Sequence, residues 1–232
     1  MSGTDERNGG GPGSDVGAAA AREKGARVRA FGSLADRPGA TELAEQAHAL
    51  MRRYAAEVVA PFALCPHLHN VDTGLGAVGV VLEVEPTIEV GVEAIRALDA
   101  NVVHLIYPLH AAGSSPFERF GNKLAEALRR ALPEPLVHAC FHPAMVGGTE
   151  NAHRLIGLLR QAPDPFVQFI PPGMQGGGTV LAGYATSESR ADTNFARLVP
   201  ERIDALLATI EGLRRERAAL ATLAERVAHG AA

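Results

Sequence analysis

The apolar side chains between residues 41 and 59 are spaced as in an amphipathic helix. They recur at intervals of three and four residues, which places them on one helix face. Thr41 offers a hydroxyl for the N-cap, and Pro61 requires the helix to end before it. The sequence therefore predicts a helix over 41–59 that delivers Cys65 to the loop beyond.

Three apolar runs typical of buried strands follow, and helical patterns separate them. In chain order, the predicted elements are a strand over 76–84, a helix over 87–99, a strand over 102–107, a helix from Ser115 and a strand over 136–141. This alternation predicts a single α/β domain with a parallel or mixed sheet of about four to five strands covered by helices. Ligands collect beyond the carboxyl ends of strands in such sheets, so His110 and His142 are expected at that edge.

Glycine and proline interrupt the pattern after His142. A short helix is predicted over 150–159, and the apolar run 166–170 fits either a strand or a short buried helix. The glycine- and proline-rich segment 171–178 fits a surface connection first and a lid over a site second.

A long helix is predicted from Pro200 to about Val227. Its isoleucines and leucines form one apolar stripe, which indicates a core-packing face first and the seam of a homodimer second. Arg214, Arg215 and Arg217 lie opposite the leucines and fit a solvated face.

Residues 1–37 are expected to form a disordered tail, and residues 38–232 a single domain. The segment 8–14 is polar and rich in glycine, so it buries too little apolar surface to offset the entropy of ordering. We therefore expect function to survive deletion of the tail.

Charge and composition narrow the classes of partner. The net charge of −4 gives no general attraction to nucleic acid or to anionic membranes. No apolar run reaches the roughly 18 to 20 residues that span a bilayer. Two cysteines, both near histidines, are more typical of an intracellular protein than of a disulfide-bonded secreted one. We expect a cytoplasmic protein whose partner is a small molecule.

Both cysteines lie in short clusters with histidine and proline. Cys65 precedes His67 and His69, and Cys140 precedes His142. Cysteine and histidine serve both as metal ligands and as nucleophile or base, so the clusters mark a candidate site. Cys140 lies in an apolar strand and fits a core thiol, whereas His142 fits either a functional group or a cap on the strand end.

Several short boxes together resemble a bacterial domain-of-unknown-function family, conventionally numbered fourteen-fifteen. The boxes, which span roughly residues 40 to 172, are Leu64-Cys65-Pro66, Phe141-His142-Pro143 followed by Gly148-Thr149, and Pro163-Asp164-Pro165 before an apolar run. His67 and Gln168 depart from the family pattern, which has Phe and His there. The family carries no settled activity, and the resemblance implies only that Cys65 and His142 belong to one recurring constellation.

The first hypothesis is a metal- or haem-dependent oxidoreductase of specialised metabolism. The predicted metal ligands are His142, Cys65, His67 and His69. His142, Cys65 and Arg160 are the candidate catalytic residues. Arg53 or Arg160 would neutralise haem propionates or an acidic substrate. A closed structural zinc site is disfavoured, because the chain has only two cysteines and no Cys-x-x-Cys.

Two alternatives stay open. In the second hypothesis Cys65 is the nucleophile of a cofactor-free enzyme, with His142 or His67 as base and Asp72 or Asp164 as the orienting carboxylate. In the third, the protein is a noncatalytic module that binds a small molecule or a partner. Both enzyme hypotheses require that Cys65 and His142 open into one shared pocket.

Overall fold

The structure is a computed structural model that describes residues 28–65, 68, 70–174 and 190–230. The strands are β1 (Arg29–Phe31), β2 (Ala77–Val81), β3 (Val103–Ile106), β4 (Val137–Phe141) and β5 (Phe166–Ile170). The helices are α1 (Ala40–Tyr54), α2 (Val71–Gly74), α3 (Ile88–Leu98), α4 (Ser114–Ala131), α5 (Ala152–Leu159), α6 (Arg190–Leu198), α7 (Ile203–Ala218) and α8 (Ala221–His229). A π-helical turn, Ala55–Val59, extends α1, and a 3₁₀ turn, Pro172–Met174, follows β5.

The five strands form one mixed sheet in the order β1-β2-β3-β5-β4. Strands β1, β2 and β3 pair in parallel, whereas β5 pairs antiparallel with β3 on one side and β4 on the other. The carboxyl ends of β1 to β4 and the start of β5 therefore lie at one edge of the sheet. This confirms the predicted α/β fold, and it decides that the ambiguous run at 166–170 is a strand.

Helices cover both faces of the sheet, because each strand alternates its side chains between two apolar layers. Helices α3 and α4 pack on one face, where Leu105, Phe117 and Leu124 are fully buried. The other face is covered by α1, α5, α7 and α8 around residues such as Ile106 and Leu206. Along β3, Leu105 points into the first layer, while its neighbours His104 and Ile106 point towards the second.

The predicted first helix is confirmed, but its start differs in detail. It begins at Ala40, after Gly39 in the left-handed conformation (φ 83°), and no side chain caps it, so Thr41 is not the cap. A Cβ at Gly39 would lie 3.1 Å from the Leu223 side chain, so glycine serves both the turn and the contact with α8. The helix ends before Pro61, as expected.

The tail boundary predicted at residue 37 is wrong. Arg29–Phe31 form strand β1, which pairs with β2 from Arg29 opposite Gly79 to Phe31 opposite Val81. The Arg37 guanidinium donates to the backbone carbonyls of Val227 and Ala228. A three-residue edge strand is defined by its neighbour rather than by its own periodicity, which is why the sequence pattern missed it. Residues 1–27 lie outside the described chain.

The prediction of a single long C-terminal helix is also wrong, because α7 and α8 are separated at Ala219 and Leu220. The Leu220 amide bonds to the Arg217 carbonyl at 3.0 Å, a tighter turn than that of an α-helix. The apolar stripe continues on both helices, and most of it is buried within the chain, with Leu206 and Leu213 essentially inaccessible. This confirms the core-packing interpretation, whereas the homodimer seam stays a prediction.

Candidate functional site

Cys65 and His142 line different cavities, so the prediction of one shared pocket is wrong. Cys65 and Arg160 line a cavity of about 250 Å³ between the sheet and the helices α1, α5 and α6, which we call the apolar cavity. His142 lines a cleft of about 290 Å³ at the carboxyl edge of the strands, which we call the edge cleft. Phe141 and His142 point to opposite sides because successive strand residues alternate: Phe141 faces the apolar cavity, whereas His142 lies against Phe117 with ring centroids 5.8 Å apart.

Aromatic and aliphatic side chains form most of the wall of the apolar cavity. Phe141 and Phe166 stack at 4.2 Å between ring centroids with an interplanar angle of 8°. Tyr54 packs edge-on to Phe166, and its hydroxyl donates to the Leu159 carbonyl at 2.5 Å. The aliphatic part of the wall includes Met51, Val59, Leu64, Leu155, Ile156 and Ile170. Such a wall favours an apolar ligand.

Arg160 is the charged side chain in this wall. It follows the last turn of α5. The same helix is capped at its start by Asn151, whose side chain accepts a hydrogen bond from the Arg154 amide. The guanidinium lies 5.9 Å from the centroid of the Phe141 ring, and it forms no ion pair with any residue that the structure describes. Burial lowers the pKa of Arg160 from its ordinary value, although Cys140, Glu118 and Tyr54 oppose that shift. The arginine therefore brings a half-buried positive charge to an apolar wall, with no carboxylate of the described residues within ion-pair distance.

The position of Arg160 depends on a close contact between α5 and the loop after β4. A Cβ on Gly157 would lie 2.0 Å from the Val146 carbonyl oxygen, and one on Gly147 would lie 2.0 Å from the Leu158 amide nitrogen. Only glycine allows these backbones to approach so closely. The Arg160 carbonyl also accepts the His142 amide at 3.0 Å, which joins the end of α5 to the end of β4.

A neutral polar pair also lines the apolar cavity, and the sequence analysis missed it as a site. The Gln168 amide nitrogen lies 3.0 Å from Nε2 of His104, so Nε2 accepts and Nδ1 carries the proton. His104 is only 4% exposed, and burial lowers its pKa to about 4, a shift that the Leu75 backbone partly opposes. Nδ1 has no hydrogen-bond partner of standard geometry among the described residues. The signal available in the sequence was a histidine within an otherwise apolar strand.

The two cysteines differ in environment, and neither forms a disulfide. Cys65 is half-buried in the loop that follows the π-helical turn, where its side chain contributes to the apolar cavity. Cys140 is buried between β4 and α4, and burial raises the pKa of its thiol to about 12. A Cβ on Gly121 would lie 2.3 Å from the Cys140 sulfur, which shows how tightly the two elements pack. The prediction that Cys140 is a core thiol is confirmed.

His142 caps the end of β4 instead of offering a free imidazole. The Ala144 amide donates to its Nδ1 at 3.0 Å, so Nε2 carries the proton and donates to the Ala112 carbonyl at 2.9 Å. Burial lowers its pKa, against the opposing effect of the Ala112 carbonyl. Both ring nitrogens are therefore engaged with the backbone, and the predicted roles of His142 as metal ligand, cofactor ligand and catalytic residue stay predictions that would require these bonds to break.

Arg53, predicted to bind a cofactor, does not line the apolar cavity, and its charge is paired at the surface. Its guanidinium bonds to Glu57 at 2.6 Å and also to Glu216, and the three side chains are 40 to 51% exposed. Asp72, a predicted orienting carboxylate, is exposed and bonds to Arg52. A surface charge that is already paired with a carboxylate contributes little to ligand binding.

The predicted histidine ligands His67 and His69 lie outside the described residues, as do Gln175–Gly178 of the predicted lid. Within the part of the chain that the structure describes, no group of three or more His, Cys, Asp or Glu side chains could hold a metal ion.

The edge cleft contains a buried ion pair between Arg217 and Asp164. The sequence pattern had predicted a solvated position for Arg217. Arg217 of α7 donates from Nε to Oδ1 of Asp164, which precedes β5, and from Nη2 to the Pro108 carbonyl at 2.6 Å. The Arg217 side chain is 16% exposed and that of Asp164 only 5%. Burial raises the pKa of Asp164, whereas Arg217 opposes that rise. The pair ties the last helical layer to the loops at the sheet edge.

None of the described helices combines the length and the apolarity that a membrane crossing requires. Comparisons of the chain with family models, with curated proteins and with solved structures gave no match. The functional interpretation therefore depends on the geometry of the two cavities.

Proposed function

We propose that the protein binds a small, largely apolar molecule carrying one carboxylate in the apolar cavity. One observation supports this above the others: Arg160 lines an apolar wall and lacks an ion-pair partner among the described residues. A charge held partly out of water is costly unless it is paired. A ligand carboxylate would balance that charge and form two parallel hydrogen bonds with the guanidinium.

Size and wall chemistry support the same ligand class. A volume of about 250 Å³ lies close to the lower end of the roughly 300 to 1,000 Å³ that is usual for small-molecule pockets. The stacked Phe141 and Phe166 rings offer a surface for an aromatic or aliphatic body. His104 and Gln168 supply a neutral polar patch elsewhere on the wall, to which a second polar group of the ligand can bond.

A metal- or haem-dependent oxidoreductase stays a prediction, with less support than binding alone. His142 is engaged with the backbone, which leaves Cys65 as the one predicted ligand at the apolar cavity within the described chain. The cofactor-free thiol enzyme also stays a prediction, because one proposed base, His142, is engaged in the same way and the other, His67, lies outside the described residues. Membership of the domain-of-unknown-function family and a cytoplasmic location also stay predictions. Noncatalytic binding of a small acid is the function we favour.

The test compares carboxylates with their neutral amides. Phenylacetate and hexanoate are titrated into the protein by calorimetry beside phenylacetamide and hexanamide, and the melting temperature is followed in parallel. We expect the acids to bind and to raise the melting temperature, because a ligand at about 100 times its Kd stabilises a protein by about 2.7 kcal/mol. The amides should bind at least tenfold more weakly, since they lack the charge that Arg160 recognises.

Two arginine variants provide the matched control. Arg160→Met keeps a long apolar side chain but removes the charge, and it should abolish the preference for acids over amides. Arg53→Met removes an exposed arginine whose charge is already paired, and it should leave the preference unchanged. Equal binding of acids and amides by the unmodified protein, or equal loss of preference in both variants, would refute the proposal.

A further inference from the structure

The edge cleft holds two buried polar atoms that have no hydrogen-bond partner among the described residues. They are Oδ2 of Asp164 and Nε2 of His110, and both residues line the cleft. Only 5% of the Asp164 side chain is exposed. Its other oxygen, Oδ1, accepts a hydrogen bond from Arg217, whereas Oδ2 has none. Buried polar atoms in native proteins are almost always paired, so these two atoms indicate a missing partner.

The formal charges around the cleft cancel in pairs. Arg217 balances Asp164, and Arg214, which also lines the cleft, lies 3.6 Å from Glu211. Burial lowers the pKa of His110, and the neighbouring His142 lowers it further, so both imidazoles favour the neutral form. Among the described residues, an ion entering the cleft would therefore meet only charges that are already paired.

Among the described residues at the cleft, the two buried atoms without a partner are a carboxylate oxygen and an imidazole nitrogen. An ionised Asp164 accepts at Oδ2, and a neutral His110 provides either one donor or one acceptor at Nε2. The Pro108 and Ala112 carbonyls already accept hydrogen bonds from Arg217 and His142. Prolines, alanines, His142 and the paired arginines Arg214 and Arg217 form the rest of the wall. A neutral hydroxyl fits this set, since it donates to a carboxylate oxygen and also accepts or donates at an imidazole.

The position of the cleft agrees with ligand binding. It lies beyond the carboxyl ends of β3 and β4, where the antiparallel strand β5 enters between them. Open α/β sheets bind ligands at this edge, in the crevice where neighbouring connections leave in different directions. Here the connection after β3 runs into α4, and the connection after β4 runs into α5.

We propose that the edge cleft is a second binding site, separate from the apolar cavity, and that it takes a neutral polyhydroxy compound of the polyol or sugar class. One ligand hydroxyl donates to Asp164 Oδ2, and another pairs with His110 Nε2. The site does not depend on the acid-binding function proposed above, because none of the described residues lines both cavities.

The test follows the imidazole signals of the full chain by NMR after histidine labelling. myo-Inositol and glucose are the probes, and acetate and propylammonium are the charged comparators. We expect the neutral polyols to shift the His110 and His142 signals in a saturable way, and the charged compounds to leave them unchanged. Absence of a saturable shift with either polyol would mean that water alone fills the cleft and would overturn the proposal, as would a preference for either ion.

A pair of histidine variants locates the site. His110→Phe retains the ring contact with Phe117, at 5.1 Å between centroids, but removes Nε2. It should weaken polyol binding about tenfold, the value of one hydrogen bond of about 1.4 kcal/mol, as measured from the His142 signal. His153→Phe changes an exposed histidine elsewhere on the chain and should have no effect.

Asp164→Asn gives a second measurement if His110→Phe unfolds. Its amide preserves the shape of the side chain but turns one acceptor into a donor, so it should weaken polyol binding without affecting the binding of phenylacetate. Unchanged polyol affinity in a folded Asp164→Asn protein would refute the assignment.

Discussion

Arg160 and Arg217 are both partly buried, both line a cavity, and differ in how their charge is balanced. Arg217 bonds to a carboxylate and a carbonyl within the chain, whereas Arg160 lies over an aromatic ring and forms no ion pair with the described residues. A paired arginine has its bonding capacity satisfied by the fold. An unpaired one in an apolar wall keeps that capacity for a ligand, so pairing distinguishes a structural arginine from one suited to binding.

Removing Arg217 should have the largest effect on stability. Arg217→Met leaves Asp164 buried without its partner, and breaking a buried pair in this way costs about 3 to 5 kcal/mol. The free energy of unfolding, measured by urea denaturation, should fall by that amount. Arg215→Met, an exposed arginine on the same helix, should change it by less than about 0.5 kcal/mol. Similar small losses in both variants would show that Arg217 is not structural and would remove the contrast with Arg160.

The second largest expected effect is a loss of stability at acid pH, caused by His104 in the wall of the apolar cavity. Burial lowers the pKa of His104 to about 4 in the folded protein, against about 6.5 in the unfolded chain. The folded state therefore binds fewer protons, and the stability present above pH 6.5 is lost as the pH falls towards 4. The shift corresponds to about 3 kcal/mol at most.

Variants at two histidines measure this contribution. In His104→Leu, the fall in unfolding free energy between pH 6.5 and 4 should be smaller than in the unmodified protein. The fall should not vanish, because burial also lowers the pKa of His110, His138 and His142. His153→Leu, at an exposed position, should keep the full fall. An unchanged fall in His104→Leu would mean that the cavity wall is wetter than its burial indicates.

Removing Arg160 should affect stability least. Arg160→Met loses a cation–π contact worth about 0.5 to 1 kcal/mol but also relieves a desolvated charge, so the two effects nearly cancel. Urea denaturation should show a change below about 1 kcal/mol, well under that of Arg217→Met. A loss as large as that of Arg217→Met would place both arginines in the same structural class and end the comparison.

Local patterns predicted most of the elements, because helix and strand periodicity depends on neighbours in the sequence. The strands at 77–81, 103–106 and 137–141 and the helices α3 to α5 all lie within or close to their predicted ranges. The features that the sequence pattern failed to predict depend on partners that are distant along the chain. Strand β1 exists through its pairing with β2, and the break between α7 and α8 occurs in a run without glycine or proline.

The candidate site was only partly predictable. Arg160 and Cys65 were correctly placed together at one cavity, whereas His142 was wrongly added to them. The alternation of side chains along β4 already contained the reason, since Phe141 and His142 follow each other and point to opposite sides. His104 escaped notice because its burial depends on helices packed over the sheet, which no local pattern reports.

Short stretches of sequence were enough to predict the α/β alternation, the end of the first helix before Pro61 and the burial of Cys140, since each follows from residues close together along the chain. The insertion of β5 between β3 and β4, the pairing of Arg217 with Asp164 and the separation of Cys65 from His142 became evident only from the folded chain. These features involve residues dozens of positions apart in the sequence. Their energies depend on burial and contacts that exist only after the layers have packed.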